Sequence, residues 1–226
     1  MFAGLPRFNR GALGIFAVTA LLTALLGDRP LADQLRLQPG ELLVGQGLWQ
    51  PFTANFVYPE GDAGFLIGTL LIQWFFGSQL EGFWGTRRYL VLVLSCGTLG
   101  YLAYALLSPV LPAVPHGGAS AMDLAALTAF GVVFGTRMMS MLGALTIRAR
   151  TLAAILVALG VIAPLLRGAP WPIVVPWLVA IAGALLWTVQ PWRRAGDSGR
   201  VTRPKSKGKT RAKHLRVVDR DPEMLN

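Results

Sequence analysis

Six apolar stretches, at residues 11–26, 63–76, 89–111, 117–135, 151–166 and 171–189, punctuate this 226-residue chain and leave few folds open to it. The hydrocarbon core of a bilayer is roughly 30 Å thick, so one helical crossing needs about 17 to 25 mostly apolar residues. Several stretches are short for that, which local bilayer thinning, snorkelling flanks or burial inside a bundle can accommodate. Only 14% of the residues are charged, against about 25% in soluble domains. The expected fold is therefore an all-α integral membrane bundle of six transmembrane helices. Gly64, Gly68, Thr69 and Gln73 make the second stretch the most dilute of the six.

Charge placement sets an orientation. With the N-terminus in the cytoplasm, the inner segments hold Arg7, Arg10, Arg87, Arg88, Arg137, Arg148 and Arg150, followed by a basic tail. The outer segments hold Arg29, Arg36 and Arg167 together with Asp28, Asp33, Glu41, Glu60 and Asp62. Lys and Arg collect on the cytoplasmic side, so the asymmetry predicts six crossings with both termini inside. The basic residues before the first stretch are not followed by a small-x-small cleavage pattern, so that stretch is expected to stay as an uncleaved helix. A single cysteine, Cys96, allows no intrachain disulfide and no cysteine-rich metal site. No cofactor or metal is expected.

The composition divides the chain into a membrane domain, 1–191, and a tail, 192–226, with eleven Lys and Arg against four Asp and Glu. Most of the formal net charge of +10 thus belongs to the tail. It is expected to be disordered, cytoplasmic and drawn to anionic lipid headgroups. It lacks the interleaved aromatics or motif of a nucleic-acid binder, so no nucleic-acid partner is expected. The long first loop, 27–62, carries Trp49, Phe52, Phe56 and Tyr58, which suit an element lying at the membrane interface.

The stretch "HGGASAMD", His116 to Asp123, opens the fourth segment. Ser120 can be read there as a nucleophile or as the N-cap of a helix with Asp123 in its first turn. An acid at membrane depth is also a functional suspect by itself. Apart from Asp123 and Gln73 the segments offer few polar groups for a solute path, which speaks against a transporter or channel.

Four passages, in order, resemble the rhomboid superfamily, which includes intramembrane serine proteases and non-proteolytic derlin-like members. "WQPFTANFVYPEG" is similar to the family's Trp-Arg-x-x-Thr-x-x-Phe passage, with Trp49 at its head. "FLIGTLLIQWFFGSQLEGFWGTRRYL" is similar to its second helix and the Glu-x-x-x-Gly-Ser/Thr-x-Arg that follows, here Glu81, Gly85 and Arg88. "SCGTLGYLAYAL" resembles its Gly-rich third helix, and "GGASA" its Gly-x-Ser-Gly. The Glu81 carboxylate can bond donors at helix ends, and Gly85 permits a turn.

The resemblance places Ser120 at the nucleophile, Gly118 at the first glycine, and Phe65 and Thr69 where the proteases have a His and an Asn at the oxyanion. The sixth-helix histidine that serves as base is absent: Pro176 and Trp177 stand nearby, and no histidine occurs between Arg150 and Lys213. His116 is the one substitute base within reach along the chain. The resemblance therefore implies a protease-shaped scaffold in a bacterial inner membrane that binds transmembrane segments of client proteins without cutting them. The alternative it implies is a working serine endopeptidase that uses Ser120 with an unusual base.

Overall fold

In the computed structural model, residues 7–26, 29–59, 64–112, 114–141 and 145–189 are described, all within the unit that ends at Gln190. The basic tail, 192–226, lies outside the described residues. Each of the six apolar stretches falls on a helix.

The first, Arg10–Leu26 (α1), starts where its unsatisfied N–H groups find acceptors from a distant element. Glu81 takes the Gly11 and Ala12 N–H groups on its two oxygens, both at 2.9 Å. Asn9, just before the helix, bonds the Ser78 carbonyl at 2.7 Å.

The loop that follows is not irregular. It holds Pro30–Leu35 (α2), Pro39–Leu43 (α3) and Gln50–Thr53 (α4), then a 3₁₀ turn at Ala54–Phe56. Each short helix has a proline in its first turn, where the missing N–H costs nothing. Trp49 and Phe52 are exposed, whereas Tyr58 is buried and belongs to the core.

The second stretch runs well past residue 76. Phe65–Ile72 (α5) passes through a π turn at Gln73–Gly77 into Ser78–Trp84 (α6), and the helix stops at Gly85, whose φ of +82° suits glycine. The sequence reading ended too early because Ser78, Gln79 and Glu81 look unfit for an apolar segment. Glu81 spends its polarity on α1 and on the Thr86 hydroxyl, which donates at 2.7 Å.

Thr86–Leu107 (α7) begins three residues earlier than expected and ends four sooner. Ser120–Val133 (α8) is buried continuously from Ala121 to Gly131, so it forms the centre of the bundle. Ala149–Leu166 (α9) packs on α8, and Val174–Val189 (α10), preceded by a 3₁₀ turn at Trp171–Ile173, packs on α7 and α8. Small residues sit at these seams: a side chain on Gly100 would strike the Pro176 backbone, and one on Gly131 would come within 2.7 Å of Ala153.

The helical architecture carries one addition that the periodicity does not announce. Met138–Met141 (β1) and Leu145–Arg148 (β2) pair antiparallel between α8 and α9, with Met138 opposite Arg148. Among the described residues, three helical segments, Thr86–Leu107, Ala149–Leu166 and Trp171–Val189, are long and apolar enough to cross a membrane, and α1 and α8 are shorter apolar helices.

Candidate functional site: a polar network beside an apolar cleft

Thr69 and Gln73 lie four residues apart on α5 and its π turn, so they share one face. That face meets α8 at Asp123, which is only 3% exposed. The Thr69 hydroxyl donates to Asp123 Oδ2 at 2.6 Å, and the Gln73 amide donates to Oδ1 at 2.8 Å. Tyr89 on α7 donates to Gln73 Oε1. Tyr58 Oη lies 2.9 Å from Thr69 Oγ1, and because Thr69 has already given its one proton to Asp123, Tyr58 is the donor there.

The loop before α8 is pinned from several sides. Leu37 and His116 exchange backbone hydrogen bonds at 2.9 and 3.1 Å, and Gly118 N–H donates to the Ala54 carbonyl at 2.7 Å. Tyr101 donates to the Gly118 carbonyl at 2.8 Å. Gly118 has φ +113° and lies against the Tyr58 ring, so a side chain there would overlap the ring. Tyr58 in turn stacks on Phe65, with centroids 6.3 Å apart.

Ser120 is the first residue of α8, and Ala119 occupies the N-cap position without a side-chain hydrogen bond. The expected serine cap is thus not formed. The half-buried Ser120 side chain lines a cleft with Tyr58 instead. Asp123 does stand in the first turn, but Thr69 and Gln73 hold its carboxylate.

A cleft of about 970 Å³ lies between α5, α8, α9 and the start of α10. It brings together Phe65, Thr69, His116, Ser120, Asp123 and Trp177, while Ile67, Leu156 and Leu159 make its apolar walls. The His116 ring sits 5.9 Å from Tyr101 and 6.1 Å from Trp177, centroid to centroid. His116 Nε2 and Trp177 Nε1 are buried without a hydrogen-bond partner among the described residues. Burial pushes the His116 imidazole down to about 4, so it is neutral at pH 7.

The remaining motif residues lie away from this cleft. Trp49 donates its indole N–H to the Gln34 carbonyl at 3.1 Å, and Thr53 bonds the Leu35 carbonyl at 2.8 Å. Gln50, where the family passage has Arg, is buried and bridges Gln38 N–H and Glu41. Arg88 is exposed in the first turn of α7. Among the described residues no group of three or more His, Cys, Asp and Glu is placed to hold a metal.

Sequence reasoning missed Tyr58 and Tyr89 as members of the network. The i, i+4 spacing of Thr69 and Gln73 was the available signal, since two polar residues on one face of an apolar helix need a polar partner.

Long apolar helices around a buried polar network and an apolar-walled cleft define a helical integral membrane protein. The sequence model of the rhomboid domain matches residues 45–192, well over half of the chain, and the protein belongs to the rhomboid family. A search of curated proteins finds no match.

Proposed function

We propose that this rhomboid-family protein is a non-proteolytic member that binds membrane-spanning segments of other proteins in the cleft beside α5. In this reading it crosses a bacterial inner membrane six times with both termini inside, and its basic tail lies against anionic headgroups. The observation that carries the reading is the commitment of the oxyanion candidates to the fold itself. The Thr69 proton goes to Asp123, the Gly118 N–H goes to Ala54, and Phe65 has nothing to donate. A serine hydrolase needs donors free for the developing oxyanion and a base in contact with its nucleophile. Among the described residues His116 makes no hydrogen bond to Ser120, and α9 and α10 carry no histidine.

One observation favours the endopeptidase reading: His116 Nε2 has no hydrogen-bond partner among the described residues and lies in the same cleft as Ser120. The two readings separate in a single experiment. The purified protein in bilayers is exposed to a fluorophosphonate probe under conditions that label an active rhomboid. No labelling is expected. Labelling that is lost in Ser120→Ala would overturn the non-proteolytic reading and establish the hydrolase.

A further inference from the structure

The hydrogen bonds around Asp123 all run one way. Tyr58 donates to Thr69 and Thr69 to Asp123, while Tyr89 donates to Gln73 and Gln73 to Asp123. Each carboxylate oxygen is met by a donor, and each donor is polarised by a hydroxyl behind it. Donors so placed offset part of the cost of burying a carboxylate. Yet all four donors are neutral, and no ion pair to Asp123 occurs among the described residues. A buried negative charge without a countercharge is costly, all the more in a membrane.

The cleft that Asp123 lines offers a path by which a countercharge can reach it. Beside the His116 imidazole, the cleft's lining holds the guanidinium of Arg167, which is exposed at the end of α9. A divalent metal would need several oxygen ligands, and no cluster of such groups exists among the described residues. The walls around Asp123, by contrast, are aliphatic and aromatic: Ile67, Leu124, Leu156 and Leu159, with Phe65 and Trp177 beside them. Apolar walls around one carboxylate match an apolar helix that bears one cationic side chain.

Resting on the reading of the cleft as a client-binding site, we propose that it selects membrane segments carrying a lysine or arginine, with Asp123 as the countercharge. Asp123 is three residues into α8, so at 1.5 Å per residue it lies about one turn from that helix's first residue. The client's basic residue accordingly sits about one turn inside the His116 end of the bundle. A lysine stem of four carbons covers that depth while its own helix stays in lipid.

The test uses the full chain with benzoylphenylalanine in place of Ile67, which lines the cleft and is exposed. It is reconstituted in phosphatidylcholine vesicles, where no anionic headgroup competes for the cation. The probes are poly-leucine membrane spans with one Lys, one Glu or no substitution a turn from one end. The Lys span should crosslink roughly threefold to tenfold more than the all-Leu span, with the Glu span below both. Asp123→Asn should remove that preference and leave all-Leu crosslinking in place. Equal crosslinking of the Lys and Leu spans to the wild-type protein would overturn the charge selection and leave client binding standing. Absence of crosslinking to any span would overturn client binding as well. The wild-type comparison holds whether or not Asp123→Asn folds, and a preference that survives in a folded Asp123→Asn protein would overturn the role of that residue.

Discussion

Two glycines with positive φ separate the cost of backbone strain from the cost of crowding. Gly85 has φ +82° with ψ 156°, a region essentially kept for glycine, and open space around a built side chain, so Gly85→Ala meets only the backbone penalty, about 1 to 3 kcal/mol. Gly118 has φ +113° and faces the Tyr58 ring, so Gly118→Ala adds overpacking and should cost about 3 kcal/mol or more. Thermal unfolding in detergent should rank them in that order. Ser120→Ala should stay within about 0.5 kcal/mol of the parent, since the hydroxyl makes no cap and Tyr58 keeps its bond to Thr69. A loss of about 1 kcal/mol would instead restore the serine cap. His116 gives a pH signature. Its imidazole titrates near 4 in the folded protein against an ordinary value of 6.5, so the unfolded chain binds the extra proton between those values. Its contribution is fully present above about pH 6.5 and is lost as pH falls toward 4. Relative to pH 7, about 2 kcal/mol should be gone at pH 5, and His116→Gln should abolish that part of the slope. Ser120, Asp123 and Thr69 could be singled out from the sequence because polar residues in apolar stretches demand an explanation. Tyr58 could not, because an aromatic near a membrane is equally at home in the interface or the core.

The α1 start shows how one polar residue can settle two elements. Glu81 accepts from the first free amides of α1 and from Thr86 at the start of α7, so it ties three helices at one end of the bundle. Replacing it by Ala leaves two buried N–H groups without acceptors and should cost about 2 to 3 kcal/mol. Glu81→Gln keeps one acceptor oxygen but turns an NH₂ toward a donor, and should recover only part of that loss. Thermal unfolding of both variants checks the order, and equal stability of Glu81→Ala and the parent would remove Glu81 from this role. The six long segments were legible because lipid and core burial impose a hydropathy signal over a dozen residues or more. Helices α2, α3 and α4 span only four to six residues and left no such signal, although each has a proline in its first turn. The β1–β2 hairpin has the same origin: strands of four residues, the first of them mostly Met, give too little alternation to read. The π turn is decided by side chains that must reach Asp123 and Tyr89, which no local pattern encodes.

Contacts between distant segments sort the ends of the bundle into two groups, and their charges differ. One end gathers Asn9 and Arg10, the α6–α7 turn with Arg87 and Arg88, and the hairpin region with Arg137, Arg148 and Arg150. Asn9 reaches Ser78 there, and Phe83 contacts Phe134 at 5.6 Å. The other end joins the first loop to the segment before α8 through Leu37 and His116, and it carries Asp33 and Glu41 beside Arg29 and Arg36. The positive-inside bias then gives the proposed orientation, with the arginine-rich end in the cytoplasm and the cleft near the outer face. Cys96 is buried and is the sole cysteine, so Cys96→Ala supplies a silent background for labelling. Val44→Cys, on the first loop, and Thr146→Cys, on the hairpin, both replace exposed residues. In intact cells a membrane-impermeant maleimide should label position 44 directly and position 146 only after permeabilisation. Labelling of position 146 in intact cells would invert the orientation and place the cleft at the cytoplasmic face, so that any client lysine it holds would lie at the inner end of its span.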